Sequence, residues 1–526
     1  MASTRTRWIG LVFISLAVSL IIVDSTIVNV SIPSIIDDLG LTSTQVQWVQ
    51  ESYTLVFAAL LLVFGTLADR VGRRRLMVIG MTLFGLSSIA AALVTTPDLL
   101  IGARVVQGLG GAMVLPTTLS LVNATFRGKE RGIAFAVWGS TIGGMVAVGP
   151  LLGGWLTTDF SWRWAFGINI PLSVIIIVGA LLTVQESRET DVRRIDWWGA
   201  VLSVVALTAL VFGLIEGRTY GWWLVNKPFV LGDLSWSSGI SIIPFCFAAF
   251  AVATVLFILH GLNRQKHGKS TLIAFKLFTI PSFTNGNIAA MIISMGEFGI
   301  ILSLPLWLQF VVGYDALQTG FVILALAIGA FVASGLAGGL SGRVNPVNMV
   351  RIGIAFEVVG VAGVGFGISA SGDWWSVAPW LFVYGIGVGL ATAQLTNVVL
   401  KDVPVEESGQ ASGTQSTARQ LGSALGIAVL GTILFTSTAG LLTNSLNEMK
   451  LPEEQVTSIV DAVVDSSGAA IVPLEKDPQT APIAEKAKIA FSDATRLGAY
   501  SAAGFLVIGL VSTLSLRGKR REESAK

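Results

Sequence analysis

Long apolar runs, separated by short charged ones, limit what this chain can become more than any other feature. A helix needs about 20 mostly apolar residues to cross the hydrocarbon core of a bilayer. Such runs fall at 8–33, 46–69, 76–96, 99–123, 131–157, 163–185, 197–217, 240–262, 283–312, 316–340, 347–370, 377–400, 410–437 and 495–516. Of the 526 residues 53% are hydrophobic and only 13% are Asp, Glu, Lys or Arg, roughly half the ~25% charge of a soluble protein. Soluble cores stop growing near ~250–300 residues and could not absorb so much apolar side chain. The chain is expected to be an all-α integral membrane protein with 14 transmembrane helices. That excludes a soluble enzyme, a secreted disulfide scaffold and a nucleic-acid-binding domain. The 58 glycines suit helices packed backbone to backbone in lipid.

Cys246 has no internal disulfide partner, and no Cys/His cluster offers a metal site. His260 and His267 flank a basic loop and read as surface residues. The first run is too long for a secretory leader and lacks a small-residue cleavage site, so it is expected to remain in the mature protein.

Lys and Arg alternate between loops. Arg5 and Arg7, Arg70 with Arg73–Arg75, Arg127, Lys129 and Arg131, Arg188, Arg193 and Arg194, Arg264, Lys266 and Lys269, and Arg517 with Lys519–Arg521 fall on one side. The other side carries Asp37, Asp38, Asp98, Asp159, Asp315 and Asp373. The positive-inside rule then puts both termini in the cytoplasm. One long external segment, 440–493, holds nine acids and four lysines, and Val456, Ile459, Val460, Val463 and Val464 share a helical face within it. It reads either as a helical flap over the external mouth, with a second short helix near Ile483–Phe491, or as a surface loop.

Transporters are often built from internal repeats. Gly65–Val71 is echoed by Gly338–Val344 at an offset of 273, and Asp24 maps to Glu297 at the same offset. Glu130, Gly132, Ala134 and Gly149 match Glu407, Gly409, Ala411 and Gly426 at 277, and Gly108 and Gly110 match Gly387 and Gly389 at 279. These matches favour two six-helix halves, spans 1–6 and 9–14, with spans 7 and 8 inserted. The expected division is residues 1–190, 191–278 and 279–526, the last including the external loop 440–493.

Gly65–Arg75 reads GTLADRVGRRR, Leu100–Ala112 reads LIGARVVQGLGGA, and Gly149–Gly154 reads GPLLGG. Asp24–Val30, Trp162–Trp164 leading to Asn169 and Pro171, and Glu216-Gly217 before Gly221-Trp222 add further motifs. At these residues the chain resembles the major facilitator superfamily, and within it the fourteen-span drug:proton antiporters, over essentially its whole length except 440–493. The pattern's usual glycine four residues before Gly149 is Met145 here, beside Gly143 and Gly144. The resemblance implies the major facilitator fold, a multi-pass protein of the bacterial cell membrane, and efflux driven by a proton gradient without a cofactor.

Each motif also has a physical reading. Asp69 would sit at the unfavourable, negative end of its own helix dipole. It needs compensation from Arg70, Arg73 or another helix's N-terminus, and repeat geometry offers the start of span 13 near Ser408 and Gly409. It reads as a gate latch, or more plainly as a loop-anchoring charge. Gly149, Gly153 and Gly154 leave one side of span 5 bare, and Pro150 bends it, so a partner helix can approach and slide; pure packing is the plainer reading.

Charges inside the bilayer are rare because a central one costs ~2.5–3.5 kcal/mol on the gentlest scale. Asp24 and Arg104, on spans that line the cavity in the superfamily arrangement, are expected to associate, either for proton coupling or as a structural ion pair. Glu297 inherits no arginine partner, since the position equivalent to Arg104 is Val383; Arg419 is one candidate. It is expected to carry a proton or hold a cation. Glu357 reads as a buried structural acid, and Glu216 as an acid at a helix end within reach of solvent. A wall for lipophilic cations would combine carboxylates with aromatic faces. Tyr53, Trp138, Phe298, Trp307 and Tyr384 are the aromatic candidates; Asn29, Gln50, Gln309, Gln394, Asn397, Gln415 and Arg419 are the polar ones.

These readings converge on a monomeric antiporter that exports hydrophobic cations in exchange for protons, with the bilayer and small molecules as its partners and no nucleic acid, metal or enzymatic activity. No GxxxxGK[ST] nucleotide loop occurs. The rivals are a proton-coupled nutrient importer, a lipid translocase on the same fold, and a non-transporting sensor or scaffold.

Overall fold

A computed structural model describes residues 4–41, 43–188, 196–231, 234–237, 239–340 and 344–516. The basic residues Arg193 and Arg194, the motif echo at 341–343 and the side chain of Asn29 lie outside what is described. In chain order the helices are α1 (Thr4–Leu39), α2 (Ser43–Val71), α3 (Arg73–Leu93), α4 (Pro97–Thr125), α5 (Gly128–Asp159), α6 (Arg163–Gly167), α7 (Asn169–Thr183), α8 (Trp197–Tyr220), α9 (Ile242–Lys266), α10 (Pro281–Phe310), α11 (Ala316–Leu340), α12 (Pro346–Gly367), α13 (Trp374–Leu400), α14 (Ser408–Glu448), α15 (Glu453–Asp465), α16 (Ile471–Lys476) and α17 (Ala481–Ser512). A small antiparallel hairpin, β1 (Phe229–Leu231) and β2 (Leu234–Trp236), joins α8 to α9. Among the described residues thirteen helical stretches are long and apolar enough to cross a membrane. The 32-residue α5 occupies the place of the remaining expected span.

Local chemistry sets many of the helix starts. Pro97, Pro281 and Pro346 stand in the first turn, where a missing N–H costs nothing. The side chains of Asp196, Ser241, Asn345 and Asp373 accept N–H groups of the helices they precede. Gly72, with φ +114, turns the chain between α2 and α3, and the Glu186 carboxylate accepts the exposed N–H groups of Arg74 and Arg75, both at 3.1 Å.

α1, α2, α3, α4 and α7 pack against one another, as do α10, α12, α13, α14 and α17. α5 lies between the two groups, against α1 on one side and α11 and α13 on the other, and α2 meets α14 across the molecule. α8 packs on α9, α2 and α14. α9 turns most of its apolar surface outward, with Phe245, Val252, Val255, Leu256 and Leu259 all exposed. Such a face belongs in lipid. α1 begins and α17 ends at one face, where Arg7 pairs with Glu130 at 3.1 Å and Arg351 donates to the Thr513 carbonyl at 3.0 Å. We call this the terminal face.

One expectation changes on the far side. α14 and α17 extend well past the span length, so the helix placed near Ile483–Phe491 is the first part of α17 and not a separate element. α15 does form on the valine stripe, and Val456, Val460 and Val463 are buried in the main core.

Candidate transport site

At the terminal face, α2 ends on the carboxylate of Asp69, 1% exposed. It accepts the N–H groups of Gly409 at 2.8 Å and Gln410 at 3.0 Å, in the first turn of α14, and pairs with Arg73 at 2.6 Å. The unpaired N–H groups and positive dipole end of α14 offset the unfavourable end of α2. Close approach is possible because glycines face each other: a Cβ on Gly65 would stand 2.6 Å from the Cα of Gly413 and 2.7 Å from the Gly409 carbonyl oxygen. Asn123 donates to Ser408 at 2.8 Å, and Arg131 donates to Asn397 at 3.1 Å and to Asn123 at 3.3 Å. Gln394 reaches the Gly132 carbonyl at 3.5 Å. These bonds close the terminal face. Arg70 lines an adjoining cavity of about 420 Å³ with Lys269, Lys276, Glu406, Glu407 and Gln410.

Deeper in, Arg104 donates to Asp24 at 2.7 Å. The same carboxylate accepts Asn169 at 2.7 Å and Gln107 at 3.1 Å, while Ser88 bonds both of those amides. Arg104 also donates to the Val49 carbonyl at 3.1 Å and lies 4.3 Å from the Tyr53 ring centre. Asp24 is fully enclosed. A buried ion pair survives only when its remaining polar valences are met in this way.

Glu297 is held more loosely. Arg419 stands 3.7 Å away and Thr392 donates at 3.4 Å. Glu357, whose buried carboxyl oxygens have no hydrogen-bond partner among the described residues, lies near the same group. The void beside Glu297 is only about 10 Å³, too small for a ligand.

The larger space between the helix groups, about 480 Å³, is on the other side of the latch from the terminal face. Its wall includes Gln50, Glu51, Tyr53, Arg104, Arg218 and Trp222, with Leu302, Thr432 and Phe435 from the second group. Of the expected aromatic residues only Tyr53 lines it. Trp138 is buried on Thr118, at 3.3 Å, and Trp307 on Ser492, at 3.2 Å, each inside a helix packing where its N–H finds a partner. Tyr384 is buried beside the Glu297 backbone. Phe298 and Gln309 are half-buried away from the wall. Gln394 and Asn397 belong to the terminal-face closure, and Gln415 donates to Thr396 at 3.0 Å. Glu297 and Arg419 do not reach the cavity either.

In α5 the bare side is used twice. A Cβ on Gly149 would collide with Thr26 of α1, and one on Gly153 would stand 2.9 Å from the Ile27 carbonyl oxygen, whereas Gly154 has ordinary room beside Leu317 of α11. Pro150 lies inside the helix between these contacts.

Residues 14–427 match the sequence profile of the Major Facilitator Superfamily. The chain is a member of this superfamily. Membership makes it a multi-pass membrane transporter rather than an enzyme. Among curated relatives, a probable actinorhodin transporter of Streptomyces coelicolor is 31% identical over 84% of this chain and 75% of its own. The multidrug efflux pump LfrA of Mycolicibacterium smegmatis is 30% identical over 99% of this chain and 98% of its own. The crystal structure of the human organic anion transporter MFSD10 superposes with a TM-score of 0.59 over 97% of this chain and all of that one, at 12% identity, a likeness of fold.

Several residues of this facilitator's site escaped the sequence reading. Gln107 is one helical turn from Arg104, and that spacing was the available signal. Glu51 was legible as an acid within an apolar run. Glu216, expected near solvent, is 1% exposed because Trp222 and the β-hairpin fold back over the end of α8. His260, expected at the surface, is half-buried and meets Asp196 at 2.9 Å, with Arg264 at 3.6 Å.

Proposed function

We propose that this facilitator exports hydrophobic organic cations in exchange for protons, by rocking its two helix groups about a midplane cavity. Efflux is favoured by the relatives, one named a multidrug efflux pump and covered over nearly its full length. The single observation that carries the coupling is the contrast between the two intramembrane acids. Asp24 accepts from three side chains at 2.7–3.1 Å, whereas Glu297 has one arginine at 3.7 Å and one hydroxyl at 3.4 Å. A carboxyl group that gains and loses a proton needs a site that neither state fills completely. Glu297 meets that condition, with Arg419 as the cation it meets when ionised. The Asp24–Arg104 cluster shapes the cavity wall and changes partners only when α1 and α4 move apart.

In this scheme the closed terminal face is cytoplasmic, as the Lys/Arg asymmetry expects, and the described state keeps its cavity on the external side. Breaking Asp69 from α14 opens the other side. A monomer in a bacterial cell membrane suffices, and the proton gradient supplies the energy. The test is a preformed proton gradient in everted membrane vesicles containing the protein. Addition of a lipophilic cation such as ethidium dissipates the gradient if the reading holds. Dissipation by sugars or amino acids instead, or by neither, overturns it.

A further inference from the structure

The wall that α8 gives to the cavity is used by neither the latch nor the Asp24 and Glu297 clusters. Glu216, one turn from the end of α8, is 1% exposed. Among the described residues neither of its carboxyl oxygens meets a hydrogen-bond donor. Facing it is a second acid, Glu51 of α2, which is half-buried and lines the cavity of about 480 Å³. Ionised carboxylates only accept hydrogen bonds. Two in contact are therefore joined only when a proton lies between them.

The neighbouring charges do not neutralise this pair. Arg218 lies over the Phe435 ring at 3.9 Å and feels Asp465. Arg104 is engaged by Asp24. Tyr220, on α8 itself, is the remaining titratable group close to both acids. Among the described residues α10 and α14 bring no titratable side chain to this wall, the α15–α16 link brings Ser467, and α9 brings Phe247, which lies against Gly213 of α8 and stacks on Trp222 beyond its end. Tyr53, Trp222 and Phe435 leave aromatic surface around the acids.

We propose that Glu51 and Glu216 form a proton-exchange site for lipophilic organic monocations, built between α2 and the inserted helix α8. The empty pair shares one proton. When a monocation enters, its apolar body lies on Tyr53 and Trp222 and its charge at Glu51, which lines the cavity, with Glu216 enclosed behind it. The shared proton leaves to the water of the cavity, so one positive charge replaces another. This rests on the export reading, and it explains what the inserted helix is for, since α8 supplies half of the site.

The test is calorimetric titration of the purified full-length protein in detergent with tetraphenylphosphonium, in buffers of different ionisation enthalpy and across mildly acidic to mildly alkaline pH. The wild type is expected to release about one proton per cation bound, and to lose affinity about tenfold per pH unit where the pair is protonated. Glu51→Gln and Glu216→Gln each abolish the release and flatten the pH dependence, and the double substitution behaves like either single one because the pair acts as a unit. If Glu216→Gln does not fold, judged by elution profile and melting temperature, the half-buried Glu51→Gln carries the same reading. Wild-type binding without proton release, or unchanged release in Glu51→Gln, overturns the proposal. Wild-type drug-dependent proton movement in vesicles, retained alongside such a result, leaves the export reading standing; its absence removes that reading as well.

Discussion

Asp24 and Glu297, 273 residues apart in the sequence, differ in what would be lost with each carboxylate. Removing the charge of Asp24 leaves Arg104, 2% exposed, buried without its counter-ion. Such a break costs about 3–5 kcal/mol. Asp24→Asn is therefore expected to lower the melting temperature of the purified protein markedly, and a variant that melts with the wild type would show the pair to be dispensable. Glu297→Gln leaves Arg419, 21% exposed, with access to solvent. It is expected to melt near the wild type, to keep binding drug, and to lose drug-dependent proton movement by at least about tenfold, a barrier change of ~1.4 kcal/mol. Vesicle fluorescence with a pH-sensitive dye checks the last point. The sequence alone could bring Asp24 and Arg104 together, since two opposite charges in lipid must find each other. It could not show that Asn169 and Gln107 complete the cluster, because amides carry no charge signal and their use depends on how α3, α4 and α7 are rotated.

The decisive contact between elements is the crossing of α2 and α14. Gly65 and Gly413 touch there, so any side chain at Gly65 acts on the closed terminal face and not on helix formation. Gly65→Val overpacks this crossing, a change that typically costs about 1–3 kcal/mol. It is expected to shift the population toward a state open at the terminal face. Spin labels at the exposed Arg75 and Glu406 should then report longer distances. Asp69→Asn should lengthen the same distances, since it removes the carboxylate that bonds Gly409 and Gln410. Unchanged distances in both variants would separate the latch from the gate. The repeat offset pointed to the start of α14 as the partner of Asp69, because matched motifs in the two halves occupy matched ends of their helices. It did not separate Arg73 from Arg70. Arg70 belongs to α2 and Arg73 opens α3, and the turn at Gly72 between them brings the Arg73 guanidinium back onto the carboxylate.

The whole molecule is a set of apolar helices whose expected orientation in the bilayer rests on loop charge. A fluorescent protein fused to either chain end should fold and fluoresce in the cytoplasm, and alkaline phosphatase inserted near Gly468 should be active outside; the reverse pattern would invert the scheme. Alternating access adds a second expectation. A cysteine placed at Thr432 should react with a membrane-impermeant thiol reagent added from the side opposite the terminal face, and more slowly when Asp69→Asn is also present. The all-α membrane architecture, the approximate positions of its spans and the direction of loop charge were determined by the sequence alone. Each depends on one segment's own hydropathy and charge, and the bilayer imposes that test segment by segment. Only the tertiary structure decided which carboxyl groups meet, that Trp138 and Trp307 fill packing rather than face the cavity, and that α8 closes the cavity wall with Glu216 turned toward Glu51. Those outcomes depend on the rotation and crossing of helices far apart in the chain, and lipid, being equally apolar on every side, favours no rotation until the helices pack.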